Sequence, residues 1–142
     1  MSETKEKITV NTDINAPLGK VWELWTKPEH IVHWNNASDD WHTPKTENDL
    51  RVGGSFLSSM AAKDGSASFE FGGTYTAVEE HKKIAYELAD GRQVEIIFTE
   101  SDGATKIEET FDPENTHSAE MQQQGWQAIL TNFKKYTENY SD

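Results

Sequence analysis

The residues with the most chemistry in them are five histidines and several adjacent acidic pairs. His30 and His33 stand at i and i+3, with the pair Asp39-Asp40 and then His42 a short way downstream. Zinc takes imidazole and carboxylate ligands, and three such groups can converge on one ion. The spacing nevertheless lacks the HExxH signature, in which two histidines one helical turn apart frame a glutamate. The plainer reading is of exposed histidines at a helix end and in a loop, so no metal is expected.

Other catalytic patterns are weaker still. No Gly-x-Ser-x-Gly elbow is there to present a serine on a strand-to-helix turn. The absence of cysteine excludes thiolate nucleophiles, thiolate metal sites and disulfides together. Glu79-Glu80, Glu108-Glu109 and Asp39-Asp40 are adjacent, so in a strand the two members of a pair point to opposite faces. Gly53-Gly54 and Gly72-Gly73 open no helix and precede no Lys-Ser/Thr, which argues against a phosphate loop. Glycines within strand patterns instead mark bulges or bends. No catalytic residue and no cofactor is assigned.

What remains is aromatic. Five Trp, four Tyr and six Phe in 142 residues need either a large core or a lined pocket. Phe56, Met60, Phe71, Tyr75, Tyr86 and Phe98 fall in strand patterns, Trp126, Ile129, Leu130 and Phe133 in a terminal helix, and Trp41 in the segment between. For most of them, filling a core is the plainer role. Gly54, Ser58, Gly73 and Ala128 are small, and Tyr75 and Tyr86 carry polar tips, so the interior need not be packed solid. All eleven larger residues are therefore candidates for a ligand site. A pocket of about 300–1,000 Å³ lined by rings with few polar groups is the usual form of a small-molecule site. Were the chain an enzyme, Asp40, His42 and Tyr75 would be the polar groups to place at the mouth.

The elements that must position these residues are legible from periodicity. Ile8, Val10 and Ile14 alternate with polar residues as a first, half-buried strand. Pro17 suits a first helical position, and Leu18, Val21, Trp22 and Trp25 share one helical face. Pro28 starts a second short helix carrying Ile31, Val32 and Trp34. Residues 35–49 are polar and predict a loop with a short strand near Trp41. A meander of about six strands follows, punctuated by Asp64-Gly65, Asp90-Gly91 and Asp102-Gly103. Trp126, Ile129, Leu130, Phe133 and Tyr136 recur at three- and four-residue steps along a terminal helix of about 22 residues, or about 33 Å, capped by Ser118 or a nearby polar residue. Strands segregated from helices predict an α+β fold with an antiparallel sheet.

Charge narrows the partners. Thirteen Lys and Arg against twenty-five Asp and Glu leave a net charge of -12. Such a chain repels nucleic acid phosphates and anionic membrane surfaces alike. With no secretory N-terminal pattern and no run of membrane-spanning length, a soluble cytoplasmic protein is expected, with no membrane insertion.

In order, Ala16-Pro17 before Val21-Trp22, Pro28-Glu29 before Trp34, Asp49 to Phe56, Phe71-Gly72-Gly73-Thr74-Tyr75, and Gly125-Trp126 with Leu130 resemble a known set. It is that of the small proteins homologous to the activator of the heat-shock protein 90 ATPase, within the START-like, SRPBCC superfamily. The resemblance runs from about Ile8 to Tyr140. It implies a helix-grip fold of the birch-pollen-allergen type, with a curved antiparallel sheet wrapped around the C-terminal helix over a hydrophobic cavity. It also implies one START-like domain over residues 1–142, ordered from about residue 6 to about 140. Superfamily members bind lipids, polyketides, hormones or quinone-like molecules, and a minority are cyclases or related enzymes. The eukaryotic activators carry a separate N-terminal domain for chaperone engagement, for which these 142 residues leave no room. The expected function is non-enzymatic binding of a small hydrophobic or aromatic ligand. The alternatives are an interaction protein for a heat-shock protein 90-type chaperone, or a cyclase or hydrolase acting on a ligand in the cavity.

Overall fold

A computed structural model describes residues 7–36, 40–88, 91–113 and 118–140. Strand β1 (Ile8–Ile14) leads into two short helices, α1 (Leu18–Thr26) and α2 (Pro28–Trp34). Strands β2 (Trp41–Asn48), β3 (Ser55–Ala62), β4 (Ser68–Glu79), β5 (Lys83–Leu88), β6 (Gln93–Ser101) and β7 (Ala104–Phe111) precede the long helix α3 (Ala119–Asn139). The seven strands form one curved antiparallel sheet in the order β1-β7-β6-β5-β4-β3-β2. The meander therefore pairs each strand with its successor, and β1 closes on β7 with Ile8 opposite Phe111.

Local chemistry accounts for most boundaries. Asp64-Gly65 and Asp102-Gly103 turn two hairpins with Gly65 and Gly103 at φ +80°, where L side chains are strained. Asp90 of the third turn pair lies outside the described residues. Pro17 stands one position earlier than expected, at the N-cap of α1, whereas Pro28 does occupy the first turn of α2. The Ser118 Oγ accepts the Met121 N–H at 3.1 Å and so satisfies one of the orphan donors that open α3.

The polar segment after α2 is the main departure. Trp41–Asn48 is a strand of eight residues, not a loop with a short strand. It reads poorly because its register shifts between His42 and Lys45, around Pro44, and it lies at the sheet edge. A proline costs no ladder bond at such an edge, and backbone pairing to β3 overrides a weak side-chain pattern.

Helix α3 is tied to β1. The Gln127 side-chain amide donates to the Asn11 carbonyl at 3.0 Å and Lys134 Nζ to the Asp13 carbonyl at 2.7 Å. The Asn15 N–H donates to Glu138 Oε2 at 2.8 Å. Where α1, α2 and α3 meet, Trp25 stacks on Trp34 at 4.8 Å, and Phe133 meets both rings edge-on at 4.8 Å. The Trp34 indole N–H donates to the Leu24 carbonyl at 3.0 Å, so its polar atom is satisfied inside the cluster. Phe98 lies beneath, edge-on to Trp22 and Trp25. Burying side chains of this size contributes about 1.5–3 kcal/mol each.

Candidate ligand-binding cavity

The closest backbone approaches of α3 are to β1, α2 and α1. Strands β3 to β5 pass further off, and their side chains do not fill the space. A cavity of about 480 Å³ lies between them and the helix. Its sheet wall carries Phe56 and Met60 of β3, Phe71 and Tyr75 of β4 and Tyr86 of β5. Its helix wall carries Gln122, Gly125, Trp126 and Ile129, and Trp25, Ile31 and Trp34 bound the end nearest α1 and α2.

Seven of the eleven candidate residues share this lining: Phe56, Met60, Phe71, Tyr75, Tyr86, Trp126 and Ile129. The other four lie elsewhere. Phe98, Leu130 and Phe133 belong to the packed core, the last two with no exposure at all. Trp41 packs on Phe69, with ring centroids 5.6 Å apart. Phe69 itself is half exposed and lines the cavity.

The aromatic wall is held by its own edges. Phe56 meets Tyr86 edge-on at 4.6 Å, and Phe71 meets Trp126 across the cavity at 6.0 Å. Trp126 is braced from behind by Phe111, stacked at 3.9 Å and nearly parallel. The small residues contribute differently from expectation. A Cβ on Gly73 would stand 2.6 Å from the Glu87 carbonyl oxygen, and one on Gly54 would stand 2.2 Å from that of Asp49. Those glycines permit close backbone approach and make no void. Ala128 is not among the lining residues, whereas Ser58 is. Gly125 is the lining glycine that faces open space, with nothing within 4 Å of the point a methyl group would occupy.

Polar groups in the wall are mostly satisfied. The Tyr75 hydroxyl donates to Asn48 Oδ1, and the Thr46 and Ser58 hydroxyls pair at 2.9 Å. Burial pushes the Tyr75 hydroxyl above its ordinary range, opposed by the Asn48 bond. Tyr86 is raised well above its ordinary value, first by burial and then by the nearby Glu109 charge. Glu109 is the exception to the pairing. It is only 7% exposed, lines the cavity, and is pushed from 4.5 to about 8 by burial. No hydrogen bond or ion pair reaches it among the described residues.

Glu109 escapes a reading based on adjacent acidic pairs, although a usable signal is present. On β7 the buried Thr105, Ile107 and Phe111 alternate with exposed neighbours, and Glu109 occupies their face. Trp25, Ile31, Trp34 and Gln122 also line the cavity without a sequence signal for it, because only the folded chain brings α1 and α2 to the cavity end.

The other chemical candidates do not assemble here. Asp40 and His42 are exposed and are not among the lining residues, and Asp39 lies outside the described residues. His30 is buried and not exposed as expected: its Nδ1 is 2.7 Å from the Tyr136 hydroxyl. His33 stacks on the same tyrosine ring at 5.7 Å. Among the described residues no group of three His, Asp or Glu side chains is arranged to hold a metal ion. No described helix is long and apolar enough to cross a membrane.

A curved seven-stranded half-barrel closed by a C-terminal helix, with two short helices after the first strand, defines the START-like helix-grip class. The chain belongs within it to the family described as Activator of Hsp90 ATPase homolog 1-like protein, whose profile matches residues 15–138. It is 44% identical to the AHSA1-like protein from Aeromonas hydrophila, known from a solution structure. That match covers 96% of this chain and 99% of the other, with a TM-score of 0.88. It is 53% identical to Chr148 from Cytophaga hutchinsonii, over 94% of this chain and 92% of that one, with a TM-score of 0.81. CV1439 from Chromobacterium violaceum shares the fold at 20% identity, with a TM-score of 0.83 over 94% of this chain and 98% of that one. No curated protein matches the chain significantly by sequence.

Proposed function

We propose that this protein binds a small hydrophobic or aromatic molecule in the cavity between its sheet and α3, without transforming it. The observation that carries the reading is the 480 Å³ space itself, walled by rings from both the sheet and the helix. Its size falls in the range of small-ligand sites, and its few polar groups suit orientation more than reaction. Burying about 300 Å² of apolar ligand surface gives roughly 7 kcal/mol at 25 cal/mol/Å². Association costs remove several of those, which leaves affinities on the order of micromolar.

Native mass spectrometry of protein purified without denaturation tests occupancy, and amide chemical shifts across a panel of apolar compounds test location. The expected result is a set of shifts shared by Trp126, Ile129 and Phe71. A panel in which no compound moves those three together removes the proposal.

A second reading follows from the family description, which names an ATPase activator of Hsp90. On that reading the acidic exterior engages a chaperone. Stimulation of a heat-shock protein 90 ATPase that survives Trp126→Ala but is lost on surface charge reversal would favour it over the cavity.

A further inference from the structure

The aromatic cavity holds a group that an apolar ligand does not explain, the carboxyl of Glu109, which has no hydrogen-bond or ion-pair partner among the described residues. We infer that the ligand is an amine: an apolar or aromatic body whose ammonium group lies against the Glu109 carboxylate, among the rings of Trp126, Phe71 and Tyr86. This rests on the cavity reading above and deepens it from shape to chemistry.

A carboxyl this buried favours its neutral form unless a counter-charge joins it, and among the described residues no hydrogen bond or ion pair supplies one. Arg92 lines the same cavity and has a partner of its own. The surrounding rings present π faces and edges, and a cation against such faces is stabilised electrostatically, more so where water is excluded. The net charge of -12 draws cations toward the protein and opposes anions. A fatty acid or other carboxylate would meet that opposing field and, once Glu109 ionises, a like charge, whereas an amine is favoured by both.

The groups around Glu109 leave its titration readable. Val10 of β1 and Ile96 of β6 are its register neighbours and carry no charge. Tyr75 and Tyr86 face the cavity from β4 and β5 and are both raised away from neutrality. Arg92 lines the cavity from the connection before β6, and α3 contributes Met121, Gln122, Gly125, Trp126 and Ile129, none of which has an ionisable side chain. In the empty protein at pH 7 the carboxyl is mostly protonated, since its value lies at about 8. An ammonium ion that pairs with it displaces that proton to solvent, so binding releases close to one proton. Affinity then rises as pH climbs from about 6 toward about 8 and levels off above.

Calorimetric titration with naphthylethylamine, naphthylethanol and naphthylacetate, in buffers of different ionisation enthalpy, tests the inference on the intact chain. The amine is expected to bind at least about tenfold tighter than the alcohol, the scale of one charge-assisted hydrogen bond. It alone is expected to release a proton, and naphthylacetate to bind weakest. Glu109→Gln is nearly isosteric and should abolish both the preference and the proton release. Equal binding of amine and alcohol, both shifting Trp126, would overturn the amine inference and leave the cavity reading standing. Tighter binding of naphthylacetate would overturn it in the same way. If no member of the series shifts Trp126 or Phe71, the cavity reading itself fails.

Discussion

Trp25, Trp34 and Phe133 meet at 4.8 Å where the three helices converge, while Phe71 and Trp126 face each other at 6.0 Å across an open cavity. Both clusters lie between the same sheet and the same helix, and both are built from the same kinds of ring. They differ in what stands behind the rings. At the packed end, α1 and α2 press their side chains against α3, so the rings interdigitate to interior density. At the open end, curving strands and a glycine on α3 leave a gap that side chains do not reach. The packed end supplies stability and holds the helix, and that support is what lets the other end stay hollow.

Changing charge at the open end should have the largest effect. Glu109 is raised from 4.5 to about 8 by burial, so the folded protein holds its proton where the unfolded chain has released it. This group therefore costs nothing below about pH 4.5, destabilises progressively as pH rises toward about 8, and exerts its full effect above. The difference corresponds to roughly 5 kcal/mol at most, at about 1.4 kcal/mol for each pH unit. Urea unfolding of wild type and Glu109→Gln at pH 5 and at about pH 9 should show the variant gaining several kcal/mol on the wild type at the higher pH. Parallel pH profiles would mean the carboxyl is solvated and the open end is wet.

Next in size is truncation at the packed end. Phe133→Ala removes a ring with no exposure from a cluster that cannot collapse around the loss, and should cost about 3–5 kcal/mol in urea unfolding. A loss below about 1 kcal/mol would erase the distinction between the two ends.

Two glycine substitutions separate close approach from open space. Gly73→Ala places a methyl group against the Glu87 carbonyl and should destabilise by about 1–3 kcal/mol. Gly125→Ala meets nothing and improves helix propensity, so Tm should rise, by the equivalent of about 0.5–1 kcal/mol. The same methyl narrows the cavity, and ligand affinity measured by calorimetry should fall. Destabilisation by Gly125→Ala would show that the helix wall is already filled.

How legible each part is depends on how local its cause is. The α3 stripe, its Ser118 cap and the hairpin turns at Asp64-Gly65 and Asp102-Gly103 follow from neighbours within a few residues, and periodicity reveals them. Strand β2 is hidden because its pairing partner, not its own pattern, makes it a strand. His30 reads as a surface residue because the hydroxyl of Tyr136 that it meets is 106 residues away. In the candidate site the strand aromatics emerge from alternation, while Phe98, Leu130 and Phe133 share that hydrophobic pattern and lie in solid core. Period two and period 3.6 report the face a residue occupies, not the distance to the layer opposite.

On its own, the sequence determined the elements apart from the extent of β2, their order, the apolar faces and the family to which the chain belongs. Tertiary structure alone decided which aromatics pack and which face open space, and that Glu109 sits among them with no partner among the described residues. Those properties depend on sheet curvature and on where α1 and α2 prop the helix. Both arise from contacts far apart in the chain, and no local pattern of residues encodes the width of the gap they leave.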